Sequence, residues 1–410
     1  MIDRVVRNAV VLRDGALVTL DIGITGERIA ALGAIHDHAA PSLDAGGCLV
    51  VPGLVETHIH LDKTCILDRC RISEGTVQEA VRQTAAAKRA FTVDDVYARA
   101  KGTLERCIAQ GTMRMRTHVE LDPGIGMTGF DAVQQLAKDY AWAVDLELCV
   151  FPQEGLTDNP GTEELLVEGL RRGARAIGAV PYMDADPRGQ IDRIFAIARD
   201  HDAEIDMHLD LAETTDGMQI DYVCRKTEEF RYGGRVAVGH LTQASLLEKP
   251  AFAALAKRLA DTGVAVTILP STDLHLMGRS HDHAVPRGVV PAEPLRAAGV
   301  TCSLSTNNIL NPFTPYGDGS LVRMANLYAN VCHVARPDHL AGCLDMITAA
   351  SAKLMRLDDY GIFEGAPADL VALDAASPAD VVARLAQPVW GLKRGRMSFS
   401  RARPVLYPPE

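Results

Sequence analysis

Eight short apolar runs, each followed by a stretch of helical character, constrain this chain more than any other feature. The runs are Leu49 to His60, Met113 to Glu120, Leu146 to Gln153, Ala174 to Tyr182, Glu204 to Asp210, Arg235 to His240, Val264 to Ser271 and Val300 to Asn307. Runs this apolar suit strands buried on both faces, as in a parallel sheet covered by helices. Eight β/α units are what a closed (β/α)8 TIM barrel needs. The helices between them are legible too. Thr92-Val93-Asp94-Asp95 opens one with a capping-box-like spacing, and Val96, Ala100, Leu104, Cys107 and Ile108 mark its apolar stripe. Residues 163–173, 190–200 and 246–262 fit further helices between strands.

The two ends of the chain read differently. Val5 to Leu12, Ala16 to Ile24 and Arg28 to Leu32 are short apolar runs separated by Arg13-Asp14-Gly15 and Gly26-Glu27, and Gly365 to Leu373, Gln387 to Leu392 and Arg396 to Ser398 repeat the pattern at the far end. Since these ends flank the barrel, they are expected to pair into one small β-sandwich from residues 1–50 and 356–410, with the barrel over 51–355. A chain of 410 residues with 47% hydrophobic content suits such an α/β architecture of one large domain and a smaller attachment.

Composition narrows the partners. With 53 acidic against 42 basic residues the net charge is −11, and no basic block interrupts the pattern, which argues against nucleic acid or an anionic membrane. No apolar run approaches the roughly 18 residues of a membrane span. The start, Met1 to Asn8, mixes charged and apolar residues unlike a signal peptide, so a cytoplasmic protein is expected. Nine cysteines without a C-x-x-C pair read as buried reduced thiols, and the apolar content leaves room for a homo-oligomer.

The chemistry gathers at strand ends. His58 and His60, spaced i, i+2, share one face of a strand. Other runs end in Thr117-His118, Pro152-Gln153-Glu154, His208, His240 and Asn307-Asn308, so five of the 13 histidines fall at such ends. In a parallel barrel these ends ring one cavity. A divalent metal held by His58, His60 and His208 with an open position lowers the pKa of water toward neutrality and supplies a nucleophile. His240 would then polarise a substrate oxygen or orient the water.

Taken together, Glu56-Thr57-His58-Ile59-His60-Leu61-Asp62, Arg116-Thr117-His118-Val119, Phe151-Pro152-Gln153-Glu154-Gly155, Asp206-Met207-His208, Gly239-His240, His275-Leu276-Met277-Gly278-Arg279 and Asn311-Pro312-Phe313-Thr314-Pro315-Tyr316-Gly317 resemble the amidohydrolase superfamily. Within it the chain is most similar to cytosine deaminase and the isopropylammelide amidohydrolase. The resemblance implies a barrel with a flanking sandwich and one divalent metal ion, zinc or iron. It implies ligands His58, His60 and His208, a catalytic His240, and substrate contacts from Gln153 and Lys63. His118 and His275 join these as candidate substrate contacts. Binuclear relatives carry a lysine on strand four; Ala174 to Tyr182 has none, which favours one metal.

Two positions depart from the family pattern. An aspartate that binds the metal and shuttles the proton is replaced by Asn307, a weaker ligand that cannot act as a base. It is read as an engineered inactivating change, with a natural variant using another shuttle and a degenerate pseudoenzyme as alternatives. Three positions after His208, where cytosine deaminase has an acid, stands Leu211; Glu213 takes that role only if the backbone bulges. The sequence Ser280-His281-Asp282-His283 lies in a polar loop and is read as solvated. The expected function is hydrolysis of a C–N bond in a small nitrogen heterocycle or cyclic amide. The rival is a non-catalytic scaffold on the same fold.

Overall fold

The apolar run that begins at Leu49 is two strands in two different sheets, with Gly53 between them. Leu49–Pro52 pairs antiparallel with Leu370–Leu373, whereas Leu54–Ile59 opens the barrel. A β-carbon on Gly53 would lie 2.6 Å from the Met113 side chain, so the close passage between the sheets requires glycine. The computed structural model describes residues 2–37, 39–402 and 404–407; Met1, His38, Arg403 and 408–410, all within the expected sandwich segments, lie outside them.

The barrel strands are β1 (Leu54–Ile59), β2 (Thr112–Glu120), β3 (Asp145–Phe151), β4 (Ala176–Ile177), β5 (Glu204–Leu209), β6 (Val236–His240), β7 (Val264–Ile268) and β8 (Cys302–Leu304). They pair in chain order, parallel throughout. The ring closes through a parallel bridge between Ile59 and Asn307, where Asn307 N donates to His58 O and His60 N to Asn307 O, each at 2.9 Å. The (β/α)8 expectation is thus met, with shorter strands than the apolar runs suggest. The run at 174–182 yields only two strand residues before the 3-10 turn Pro181–Met183, and β7 gives way to the helix Pro270–Leu276. Proline pre-organises a first helical turn and cannot donate to a ladder, so Pro181 and Pro270 each open the turn or helix that follows the strand.

Outside the ring, the helix Val93–Ala109 starts where expected, its Thr92 side chain accepting from Asp95 N at 3.2 Å. Its whole apolar stripe is buried. The two chain ends form one hydrogen-bonded sheet of eight strands, and Val6, Ile22, Ile29, Leu370, Trp390 and Leu392 share a separate core. All nine cysteines are free. No helix among the described residues is long and apolar enough to cross a membrane.

A buried cation locks the small sheet to the barrel. Lys393 Nζ, in the strand Pro388–Lys393, donates to Met113 O (3.2 Å), Asp145 Oδ2 (2.8 Å) and Asp369 Oδ2 (2.6 Å). Burial opposes the charge of Asp145, yet Lys393, together with Arg114 and Arg394, holds its pKa below the ordinary value. A carboxyl with a depressed folded pKa contributes stability above its unfolded pKa, and that contribution is lost as pH falls through the folded value. Lys393→Ala leaves the buried Asp369 and the half-buried Asp145 each short of a partner and is expected to cost about 3 kcal/mol in denaturant unfolding at neutral pH, with a smaller deficit in acid. An unchanged midpoint at neutral pH would remove the clamp from the account.

Candidate metal centre

Every side chain of the candidate centre is delivered by the C-terminal end of a barrel strand. His58 is on β1 and His60 follows it, His208 is on β5 and His240 closes β6. At several of these ends the backbone turns through left-handed conformations uncommon for residues other than glycine: Asp210 (φ 52°), His240 (φ 73°), Leu241 (φ 53°) and Asn307 (φ 60°). Strain of this kind persists where the surrounding structure over-determines it, and it gathers at functional sites.

His208 Nε2 lies 3.2 Å from His58 Nε2 and 3.0 Å from His60 Nε2. Burial, more than any neighbour, lowers all three pKa values, that of His58 to about 3, so these are neutral imidazoles. Neutral rings that bring three nitrogens together have the donor set a divalent transition metal prefers. The residues present therefore fit a metal ion. Packing fixes the rings: His208 stacks on Phe151 at 5.0 Å between centroids, and a β-carbon at Gly239 would lie 3.1 Å from His58 Cε1.

His240 Nδ1 is 2.6 Å from Asp273 Oδ1, and both are buried. The carboxylate, which also accepts from Leu269 N, holds the Nδ1–H tautomer and leaves Nε2 as an acceptor. Asp273 was not singled out from the sequence. It lies in the helix after β7, away from any strand end, and its only local signal is being an acidic residue in an otherwise apolar and hydroxylated turn.

A narrow chamber borders the histidines. Its polar wall includes His240, Lys63, Gln153 and Asn308, and its apolar wall Leu211, Leu276, Phe313 and Tyr182. Lys63 Nζ donates to Gln153 Oε1 at 2.7 Å and lies 3.8 Å from Glu120. Beyond Leu211, Leu276 and Tyr182 opens an outer vestibule of about 800 Å³. Below Lys63, the acidic cluster Glu120, Asp122 and Glu154 has the composition of a second cation site, but Lys88 Nζ fills it, bonding Glu120 at 2.5 Å and Asp122 at 2.6 Å.

Three residues stand elsewhere than expected. His118 is fully buried, stacked on His58 at 3.8 Å, and does not line the chamber. It brings a nitrogen within 4.8 Å of nitrogens of His58 and His208, but its Nε2 turns to Asp206, 3.6 Å from Oδ1. It supports His58 from below because β2 side chains at that level face the barrel interior. Glu213 sits on the rim, where its carboxylate accepts from Arg279 N (2.6 Å) and Ser280 N (3.1 Å); Leu211 takes the chamber wall. The bulge needed to bring Glu213 inward is absent because this clamp ties its loop to the one after β7. His275 is half-buried outside the chamber, bonded to Arg279 at 3.1 Å. His281 and His283 are exposed.

The Amidohydrolase family model matches residues 42–135 and 126–399. The chain is 25% identical over 405 residues to N-isopropylammelide isopropyl amidohydrolase of Pseudomonas sp. (strain ADP), covering 96% of each. It is 25% identical over 354 residues to the pterin deaminase of Rhizobium rhizogenes, covering 85% of this chain and 80% of that one. Among solved structures, the 5-methylcytosine deaminase of Klebsiella pneumoniae liganded with 5-fluorocytosine superposes with a TM-score of 0.93 at 26% identity, covering 99% of both chains.

Proposed function

The chain belongs to the amidohydrolase family, and from that premise we propose that it hydrolyses a C–N bond of a small nitrogen heterocycle or cyclic amide, using one divalent metal ion, zinc or iron, held by His58, His60 and His208. The observation that carries this reading is the meeting of three neutral Nε2 atoms beside His240 at the C-terminal rim of the barrel. When bound, the ion supplies Lewis-acid polarisation and lowers the pKa of water.

The remaining work falls to the chain's own side chains. With Asp273 holding Nδ1–H, His240 offers its Nε2 lone pair to the chamber, takes a proton from the attacking water and returns it to the departing nitrogen. An amide has no lone pair basic enough for that step, so Asn307 leaves it to His240. Gln153 and Lys63 hold the ring of the substrate, and Leu211, Leu276 and Phe313 keep bulk water from it. Asn307 is bonded into its surroundings through its backbone and Oδ1, contacts that an aspartate at this position would make equally. The reading as a scaffold gives no physical reason to bury four histidines around one point.

Behind the metal-binding face, Asp206 Oδ1 stands 3.6 Å from His58 Nδ1, with Arg116 Nη1 3.2 Å from Oδ2. A carboxylate behind a ligating histidine fixes its tautomer and raises its basicity. Asp206→Asn is expected to weaken metal binding about 10–100-fold, measured by competition with a chelator; equal affinity in the variant rejects this role. The function itself is tested by incubating zinc- and iron-loaded protein with aminopyrimidines, aminotriazines and cyclic amides while following amine release and ring opening. Turnover of at least one is expected. Full metal occupancy without turnover across the panel would overturn the proposal.

A further inference from the structure

The hydrogen-bond polarity of the chamber is fixed by backbone groups outside it. Asn311 Oδ1 accepts from the backbone N–H groups of Phe313 (3.0 Å) and Thr314 (3.1 Å). A backbone N–H only donates, so that end of the amide must be oxygen. Asn311 Nδ2 then donates to Asn308 Oδ1 at 2.7 Å, and Asn308 Nδ2 donates to Asn307 Oδ1 at 2.9 Å. Asn307 Nδ2 is left buried without a partner. Turning over any one of the three amides sets donor against donor or oxygen against oxygen.

The opposite wall is polarised in the same sense by a different residue. Lys63 Nζ carries hydrogens and no lone pair when charged, and it holds Gln153 Oε1, so Gln153 has its Nε2 hydrogens to offer. Among the described residues no aspartate or glutamate lines the chamber, and the wall at position 211 is leucine. The chamber therefore presents N–H groups from Lys63, Gln153 and Asn308, against an acceptor at His240.

We infer, on the hydrolase reading above, that the substrate is an oxo-bearing ring: a heterocycle whose exocyclic groups on the edges away from the scissile bond are carbonyl oxygens and not amino groups. An amino group on those edges would set hydrogens against hydrogens and leave buried donors unpaired. Sites built to hydrogen-bond one pattern reject the other more strongly than an apolar pocket rejects a change of size.

Uracil and 2,4-diaminopyrimidine set oxo against amino groups at the same two ring positions, the ring nitrogens carrying hydrogens in uracil and lone pairs in the diamine. Calorimetry with the zinc-loaded protein, at a pH where both rings are uncharged, is expected to show uracil binding at least about tenfold tighter. Equal binding, tighter diaminopyrimidine, or no binding of either at millimolar concentration overturns the inference. Asn308→Asp turns a donor into an acceptor, and Gln153→Glu does so on the other wall, so a folding failure in one leaves the other to decide. Each folded variant is expected to lose most of the preference; an unchanged preference in a folded variant overturns the inference. Because binding is read rather than turnover, discrimination without hydrolysis of any heterocycle keeps the inference and removes the hydrolase reading, and hydrolysis without discrimination does the reverse.

Discussion

Replacing His208 with alanine is expected to abolish stoichiometric metal binding and lower hydrolysis roughly a thousandfold or more, because a three-nitrogen site loses a donor and water returns toward its bulk pKa. His208 is the residue on which the site converges, since its Nε2 makes the close approach to both His58 (3.2 Å) and His60 (3.0 Å). The loss would be specific to the metal. The ring also packs on Phe151, His118 and His240, and a buried truncation of this kind costs about 1–3 kcal/mol, which a barrel of this size tolerates. The variant should keep its circular dichroism while elemental analysis finds no stoichiometric zinc or iron. A variant that binds one ion per chain and turns over normally would place the metal elsewhere.

The second large effect is expected at His240. His240→Asn removes the acceptor that faces the chamber and is expected to lower kcat about 10²–10⁴-fold while leaving metal content intact. Asp273→Asn should lie between this variant and the parent, because the 2.6 Å contact sets the tautomer of His240 without itself meeting substrate. Metal content separates the two halves of the account: His208→Ala loses the ion and activity together, His240→Asn activity alone. A His240 variant that turns over at the parental rate would return the proton to another group.

Much of this arrangement was legible in the chain because its signals are local. An apolar run ending in a polar residue is a property of about eight consecutive positions, so the eight strands and the histidines at their tips could be read one at a time, and barrel closure then brings the tips together. The small sheet was legible from its turns. Its share of the Leu49 run was not, because the run continues through Pro52-Gly53 into Leu54-Val55 without a polar residue and only pairing partners, Leu370–Leu373 in one case and β2 in the other, tell the two strands apart.

Side-chain destinations beyond the strand tips were harder for the same reason. Leu211 and Glu213 lie two residues apart, and which one enters the chamber is set by Arg279 and Ser280 on a different loop, 66 and 67 residues away from Glu213. Asp273 reaches His240 across 33 residues of sequence. His118 looked like a chamber residue because it lies on a strand beside Thr117, but its depth along β2 puts it against His58 and Asp206 instead. The meaning of Asn307 also changes with context. Alone it is a missing carboxylate; in the fold it is the last amide of a chain whose direction Phe313 and Thr314 determine.

The central claim is that one metal ion, held at the His58, His60 and His208 cluster, makes this chain a hydrolase. It is tested most directly by stripping the protein with a chelator and restoring zinc stepwise while hydrolysis of the responding heterocycle is followed. The account predicts no activity in the stripped protein and a rise that saturates at one ion per chain. Activity that survives complete removal of metal, or that saturates only at two ions per chain, would contradict it.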